Sequence, residues 1–160
     1  MAIQGSCLCG GFRFEIDEAA GPFELCHCNR CRKVSGSGTI AALGVQAEQY
    51  RVLAGTELRC TYEAPLLNQP PAYQTYFCRV CGSPLPPPDP EGWFEIPAGL
   101  LDDDPGLQPD KHIFVELAPA WDKLDDSLPR FTVRELARAR GMDMPDDAEL
   151  VTHHGEKYRV

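Results

Sequence analysis

The chain has 160 residues, 43% of them apolar, enough to enclose a single core and too few for two full domains. Its 24 acidic against 15 basic side chains leave a net charge of −9, which disfavours nucleic acid as a partner. No apolar run approaches the roughly 18 residues of a membrane span, and the first twenty residues lack the apolar stretch of a secretory signal, so the expectation is a soluble, cytoplasmic protein.

The predicted elements are short. Segment 11–16 alternates Phe12, Phe14 and Ile16 with Arg13 and Glu15, the period of a half-buried strand. Further strands are predicted at 38–45, 50–53, 58–63, 72–77, 93–96 and 111–117, separated by Gly, Pro and Asp clusters. Segment 84–90 is expected to be an extended surface loop because its prolines cannot donate ladder hydrogen bonds, and 102–110 an acidic turn region. One helix is predicted from Thr132: the hydroxyl caps the first turn, Glu135 reciprocates, Val133, Leu136 and Ala137 form an apolar stripe, and Gly141 ends it. A polar, loosely held tail is expected after it. With 15 prolines and 14 glycines, the class indicated is all-β.

The eight cysteines carry the chemistry. Their density is below the roughly 8–10% of small disulfide scaffolds, and without a secretion signal clustered thiols point to metal. Seven fall in knuckles: Cys7-x-Cys9, Cys26-x-Cys28-x-x-Cys31 and Cys78-x-x-Cys81. An extended Cys-x-Cys places both sulfurs on one face, with alpha carbons ~6.6 Å apart, near the limit for a disulfide and easy for a shared metal. After Cys9 and Cys81, Gly10 and Gly82 can take the left-handed turn that points backbone N–H groups at sulfur. Joining Cys7 and Cys9 to Cys78 and Cys81 gives a closed structural zinc site, and it leaves Cys26, Cys28 and Cys31 as three ligands with an open position, the mark of a reactive zinc. The same spacing admits disulfides, or two structural zincs with a water or histidine completing the second.

Other candidates rank below these. His27, between Cys26 and Cys28, points away from their shared face on an extended segment. Cys60 shares a face with Leu58 and Tyr62 and reads as a small buried hydrophobe, His112 as a surface histidine, and His153 and His154 as tail residues able to bind only adventitious metal. Arg30, Arg32 and Lys33 surround the three-thiol run, either as a solvated cluster or as groups that attract a carboxylate-bearing thiol.

The ordered motifs Gly5-Ser6-Cys7-Leu8-Cys9-Gly10-Gly11, Cys26-His27-Cys28-Asn29-Arg30-Cys31-Arg32-Lys33 with Ser35-Gly36, and Phe77-Cys78-Arg79-Val80-Cys81-Gly82-Ser83 resemble the glutathione-dependent formaldehyde-activating enzyme family, also called the centromere protein V/formaldehyde-activating domain. The likeness continues through residues 96–103, 112–115 and Trp121, and covers about 3–131. It implies a β-tent fold; with the residue reading this gives an all-β-dominated fold of short antiparallel strands and one C-terminal helix, the helix and the proline-rich loop at 84–90 lying outside the shared pattern. In this organisation 1–131 is the zinc domain and 132–160 a helix and tail packed on it or trailing from it. It also implies two zinc ions, one structural at Cys7, Cys9, Cys78 and Cys81 and one catalytic at Cys26, Cys28 and Cys31. The activity implied is a carbon–sulfur lyase that forms or cleaves the adduct of glutathione, or a similar small thiol, with formaldehyde or another aldehyde. Two rivals stand beside it: a zinc-dependent carrier of thiols without turnover, and a protein-interaction domain whose zincs are purely structural.

Overall fold

A computed structural model describes residues 2–64, 73–142 and 144. The predicted tail histidines His153 and His154 lie outside the described residues, as does residue 72 of the predicted strand 72–77. Among the described residues the chain forms eleven short strands and two helices. In order these are β1 (Ile3–Ser6), β2 (Arg13–Ile16), β3 (Phe23–Cys26), α1 (Asn29–Ser35), β4 (Ile40–Gln46), β5 (Tyr50–Ala54), β6 (Arg59–Glu63), β7 (Gln74–Cys78), β8 (Pro84–Leu85), β9 (Trp93–Pro97), β10 (Lys111–Ile113), β11 (Arg130–Phe131) and α2 (Val133–Ala139). The architecture is the all-β one expected, with open sheets and a C-terminal helix, and with α1 in addition.

The chain divides into two units, the first comprising 1–23 and 41–108, the second 24–40 and 109–160. In the first, β2 pairs antiparallel with β1 and β5, β7 with β6 and β8, and β4 with β9. The alternation read from sequence sets which side of β2 is dry: Phe14 and Ile16 are fully buried, while Glu15 faces Arg51 across the strand pair at 2.9 Å and Arg51 also reaches Asp17 at 2.7 Å. Phe12, Phe14, Ile16, Leu43, Val45 and Ile96 form the centre of this unit's core, and Cys7 and Cys78 belong to it. Segment 84–90 departs from the expectation of a pure loop. Pro84–Leu85 pairs with Tyr76 and Phe77 as an edge strand, where a missing N–H is tolerated, and Pro86 is fully buried.

In the second unit β10 runs parallel to β3 and β11. The strand predicted at 111–117 stops at Ile113, because Phe114 takes a left-handed φ of 58° and Val115–Leu117 winds into a 3₁₀ turn. Helix α2 begins as predicted. Glu135 N–H donates to the Thr132 hydroxyl at 3.2 Å, and Thr132 N–H donates to Glu135 Oε2 at 2.8 Å, completing the capping box. Its Leu136 packs on Cys26 and Ile113 in a small second core. Buried Glu24 receives two bonds from Arg140 Nη2, at 2.7 and 2.8 Å, and one from Lys111 Nζ at 3.4 Å, which offsets the cost of a charge held away from water.

Candidate metal centres

The first unit gathers Cys7, Cys9, Cys78 and Cys81, whose sulfurs all lie within 4.8 Å of one another. Cys7 follows β1 and opens a tight turn in which Gly10 N–H donates to the Cys7 carbonyl at 2.7 Å; Cys78 ends β7 and opens its counterpart, with Gly82 N–H on the Cys78 carbonyl at 2.8 Å. Both glycines hold positive φ, 68° and 74°, the conformation the turns require. The extended Cys7-x-Cys9 expected from sequence is therefore replaced by a turn, and the turn still brings the two sulfurs to 3.4 Å and Cys9 to 3.9 Å from Cys78. Backbone N–H groups do point at sulfur: Phe12 N–H donates to Cys7 Sγ at 3.3 Å. Hydrogen bonds from Ser83 draw the Cys81 thiol down to about 5. Ser83 Oγ also accepts from Leu8 N–H at 3.0 Å, linking the two turns.

The second unit gathers Cys26, Cys28 and Cys31, again with sulfurs within 4.8 Å of one another, and among the described residues no fourth Cys, His, Asp or Glu joins them. Cys26 ends β3. Cys28 takes the N-cap place of α1 and accepts Cys31 N–H on its sulfur at 3.4 Å, and Gly36 in left-handed conformation closes the helix. Contacts with Cys26 and Cys31 hold the Cys28 thiol down at about 3, and the same contacts push Cys26 and Cys31 up, Cys26 through Cys28 and Cys31 through Cys26. Three thiolates at this spacing repel one another, so full ionisation requires a cation, and soft sulfur donors are those that zinc or a similar ion takes. All eight cysteines are free thiols, so neither cluster is a disulfide.

The other candidates fall differently. Cys60 is half-buried and lies outside both clusters. Arg30 and Arg32 are half-buried and Lys33 exposed, and Arg32 Nη2 is held by Asn29 Oδ1 at 2.5 Å, so the basic run is not uniformly solvated. His27 is turned away from the sulfurs, in line with the sequence reading. His112 is not a surface histidine: it is 3% exposed, and its Nδ1 lies 2.8 Å from His27 Nε2. Its register partner in β3, Leu25, precedes the cysteine run by one residue, so the fold turns the imidazole inward to His27. Burial, then the neighbouring His112, lowers the basicity of His27.

Fold and clusters together define a mainly β protein with two thiol clusters, each able to hold a metal ion. The model of the glutathione-dependent formaldehyde-activating enzyme family matches residues 2–117, and the chain belongs to that family. A Halomonas elongata protein, provisionally named a glutathione-dependent formaldehyde-activating enzyme, is 31% identical over 130 residues, spanning 78% of this chain and 82% of that protein. A crystal structure of a Rhodobacter sphaeroides protein resembles 79% of this chain and 98% of its own, with a TM-score of 0.48 and 19% identity.

Proposed function

We propose that the protein joins a small thiol, glutathione or a close relative, to formaldehyde or another small aldehyde, and cleaves the same adduct in reverse as a carbon–sulfur lyase. The observation that carries this reading is the convergence of Cys26, Cys28 and Cys31 with no fourth donor among the described residues. Zinc suits both donor sets, Cys7, Cys9, Cys78 and Cys81 as a structural ion's closed shell and Cys26, Cys28 and Cys31 as an open one. Bound by three sulfurs, zinc would supply positive charge and one free direction, which favours an incoming thiol as its thiolate at neutral pH, below the ordinary thiol value of about 8.5.

The protein's own groups then hold and orient. Cys26 is fixed at the end of β3, and Cys28 and Cys31 by the first turn of α1, so the three donors are placed by backbone rather than by flexible side chains. Arg30 and Lys33 stand on the same short helix and are candidates for the carboxylates of glutathione. In the net reaction the thiol sulfur forms a bond to the aldehyde carbon, the carbonyl π pair moves to oxygen, and the proton released by the thiol ends on that oxygen. An S-hydroxymethyl adduct results with no other reactant. Free thiols and a glutathione partner suit a reducing compartment such as the cytoplasm.

The test is the initial rate of adduct formation with protein far below the substrate concentrations. A rate proportional to protein, and at background for Cys28→Ser, supports the reading. A background rate with an increased equilibrium yield at stoichiometric protein shows a carrier and contradicts it.

A further inference from the structure

His27 and His112 have no part in that reaction, yet they are among the most completely buried polar groups described, at 1% and 3% exposure. Their ring centroids lie 5.0 Å apart, with the planes tilted by 30°. His112 Nε2 lies 2.9 Å from Asp126 Oδ2, and an ionised carboxylate can only accept. His112 therefore donates from Nε2, and one proton bridges the 2.8 Å between His27 Nε2 and His112 Nδ1. The backbone repeats the restraint. His27 N–H donates to the Ile113 carbonyl at 3.0 Å, and His112 N–H to the Pro129 carbonyl at 2.8 Å. On its other side His27 Nδ1 faces Asp122 Oδ2 at 3.3 Å. Position 27 is thus pinned by main chain and side chain alike, one residue from a cluster sulfur in each direction.

Two buried imidazoles are costly to desolvate, and an apolar pair would pack the same space without that cost. What the pair supplies and an apolar pair does not is direction, the role that outer hydrogen bonds play around ligand side chains. We propose that His112 is a positioning residue for the three-sulfur site. Anchored on Asp126, it holds the His27 ring through Nε2 and with it the extended Cys26–His27–Cys28 segment, so that these two sulfurs meet Cys31 and the fourth direction is left to an outside thiol. The inference rests on the function proposed above and concerns residues that touch neither substrate nor metal.

The full-length protein loaded with cadmium-113 gives one nuclear magnetic resonance signal per occupied cluster, and a competing chelator measures how firmly each ion is held. In His112→Phe the three-sulfur signal is expected to shift or broaden and its ion to be lost roughly 10- to 100-fold more readily, with the four-sulfur signal and its retention unchanged. Asp126→Ala, at an exposed end of the chain of bonds, should act in the same direction to a smaller extent. His112→Asn, whose side-chain amide can accept or donate where Nδ1 meets His27, should restore most of the retention. A three-sulfur signal unaltered by these variants overturns the positioning role alone, as does equal loosening at both clusters, the signature of general destabilisation. If His112→Phe does not fold, Asp126→Ala decides by the same criteria. A wild-type protein that shows only the four-sulfur signal overturns the proposed function together with this inference.

Discussion

The four-sulfur cluster of the first unit is made by two tight turns, with Cys9 and Cys78 separated by 69 positions, whereas the three-sulfur cluster of the second unit is made within residues 26–31. An ion in the first would close a long loop and join distant chain, so its binding energy is also folding energy. An ion in the second would close almost no loop. It would add little to the fold, and among the described residues no fourth donor joins its three sulfurs. On the function proposed above, the first cluster would hold its unit together and the second would meet a thiol from outside.

The largest expected effect separates these roles by mutation. Cys78→Ser should abolish the cooperative thermal transition of the first unit, since a structural zinc would contribute about 10–16 kcal/mol, comparable to the ~5–15 kcal/mol by which a domain is stable. Cys28→Ser should leave that transition in place while reducing adduct formation to background. Calorimetry and turnover on both variants check the contrast, and equal thermal damage from both would break it.

A smaller effect comes from the packing around one cluster. Phe14 is fully buried in the core that contains Cys7 and Cys78, so Phe14→Ala should cost about 3–5 kcal/mol in denaturant unfolding. It should also ease metal loss from the four-sulfur cluster and not from the three-sulfur one, which a chelator titration would show.

The smallest effect sits at α2. Thr132→Ala should cost about 1 kcal/mol at neutral pH through loss of the cap. The capping bonds from Thr132, its backbone N–H first and its hydroxyl second, hold Glu135 below its ordinary value of 4.5. A carboxyl lowered on folding contributes stability that is complete above 4.5 and disappears as pH falls through the lowered value. Thr132→Ala keeps the backbone bond and removes the hydroxyl one, so the gap from wild type should narrow in acid by that part, and a gap that stays constant below pH 4.5 would contradict the bond from the Thr132 hydroxyl to Glu135.

Features written in local chemistry were legible in the sequence. The capping box at Thr132 and Glu135 spans three positions, the alternation of Phe14 and Ile16 needs only its own strand, and the cysteine knuckles carry their turn glycines with them. Features set by distant chain were not. His112 reads as a surface residue because the partner that buries it, His27, is 85 positions away. Helix α1 is hidden because a cysteine, Cys28, occupies the cap place where Ser, Thr, Asp or Asn is the usual sign, although Gly36 at its far end was a readable stop. Strand β10 ends early at Phe114, whose left-handed backbone no aromatic residue advertises. Proline at 84 suggests a loop, yet an edge strand can accept it.

The central claim is that one bound ion has a vacant place for an external sulfur and the other does not. X-ray absorption at the zinc edge, recorded on the two-zinc protein before and after glutathione, tests it most directly. The account predicts four sulfur neighbours at half the zinc and three sulfurs with one lighter atom at the rest, the latter rising to four sulfurs when glutathione is added. Four sulfurs at every zinc beforehand, or a spectrum that glutathione leaves unchanged, would contradict it.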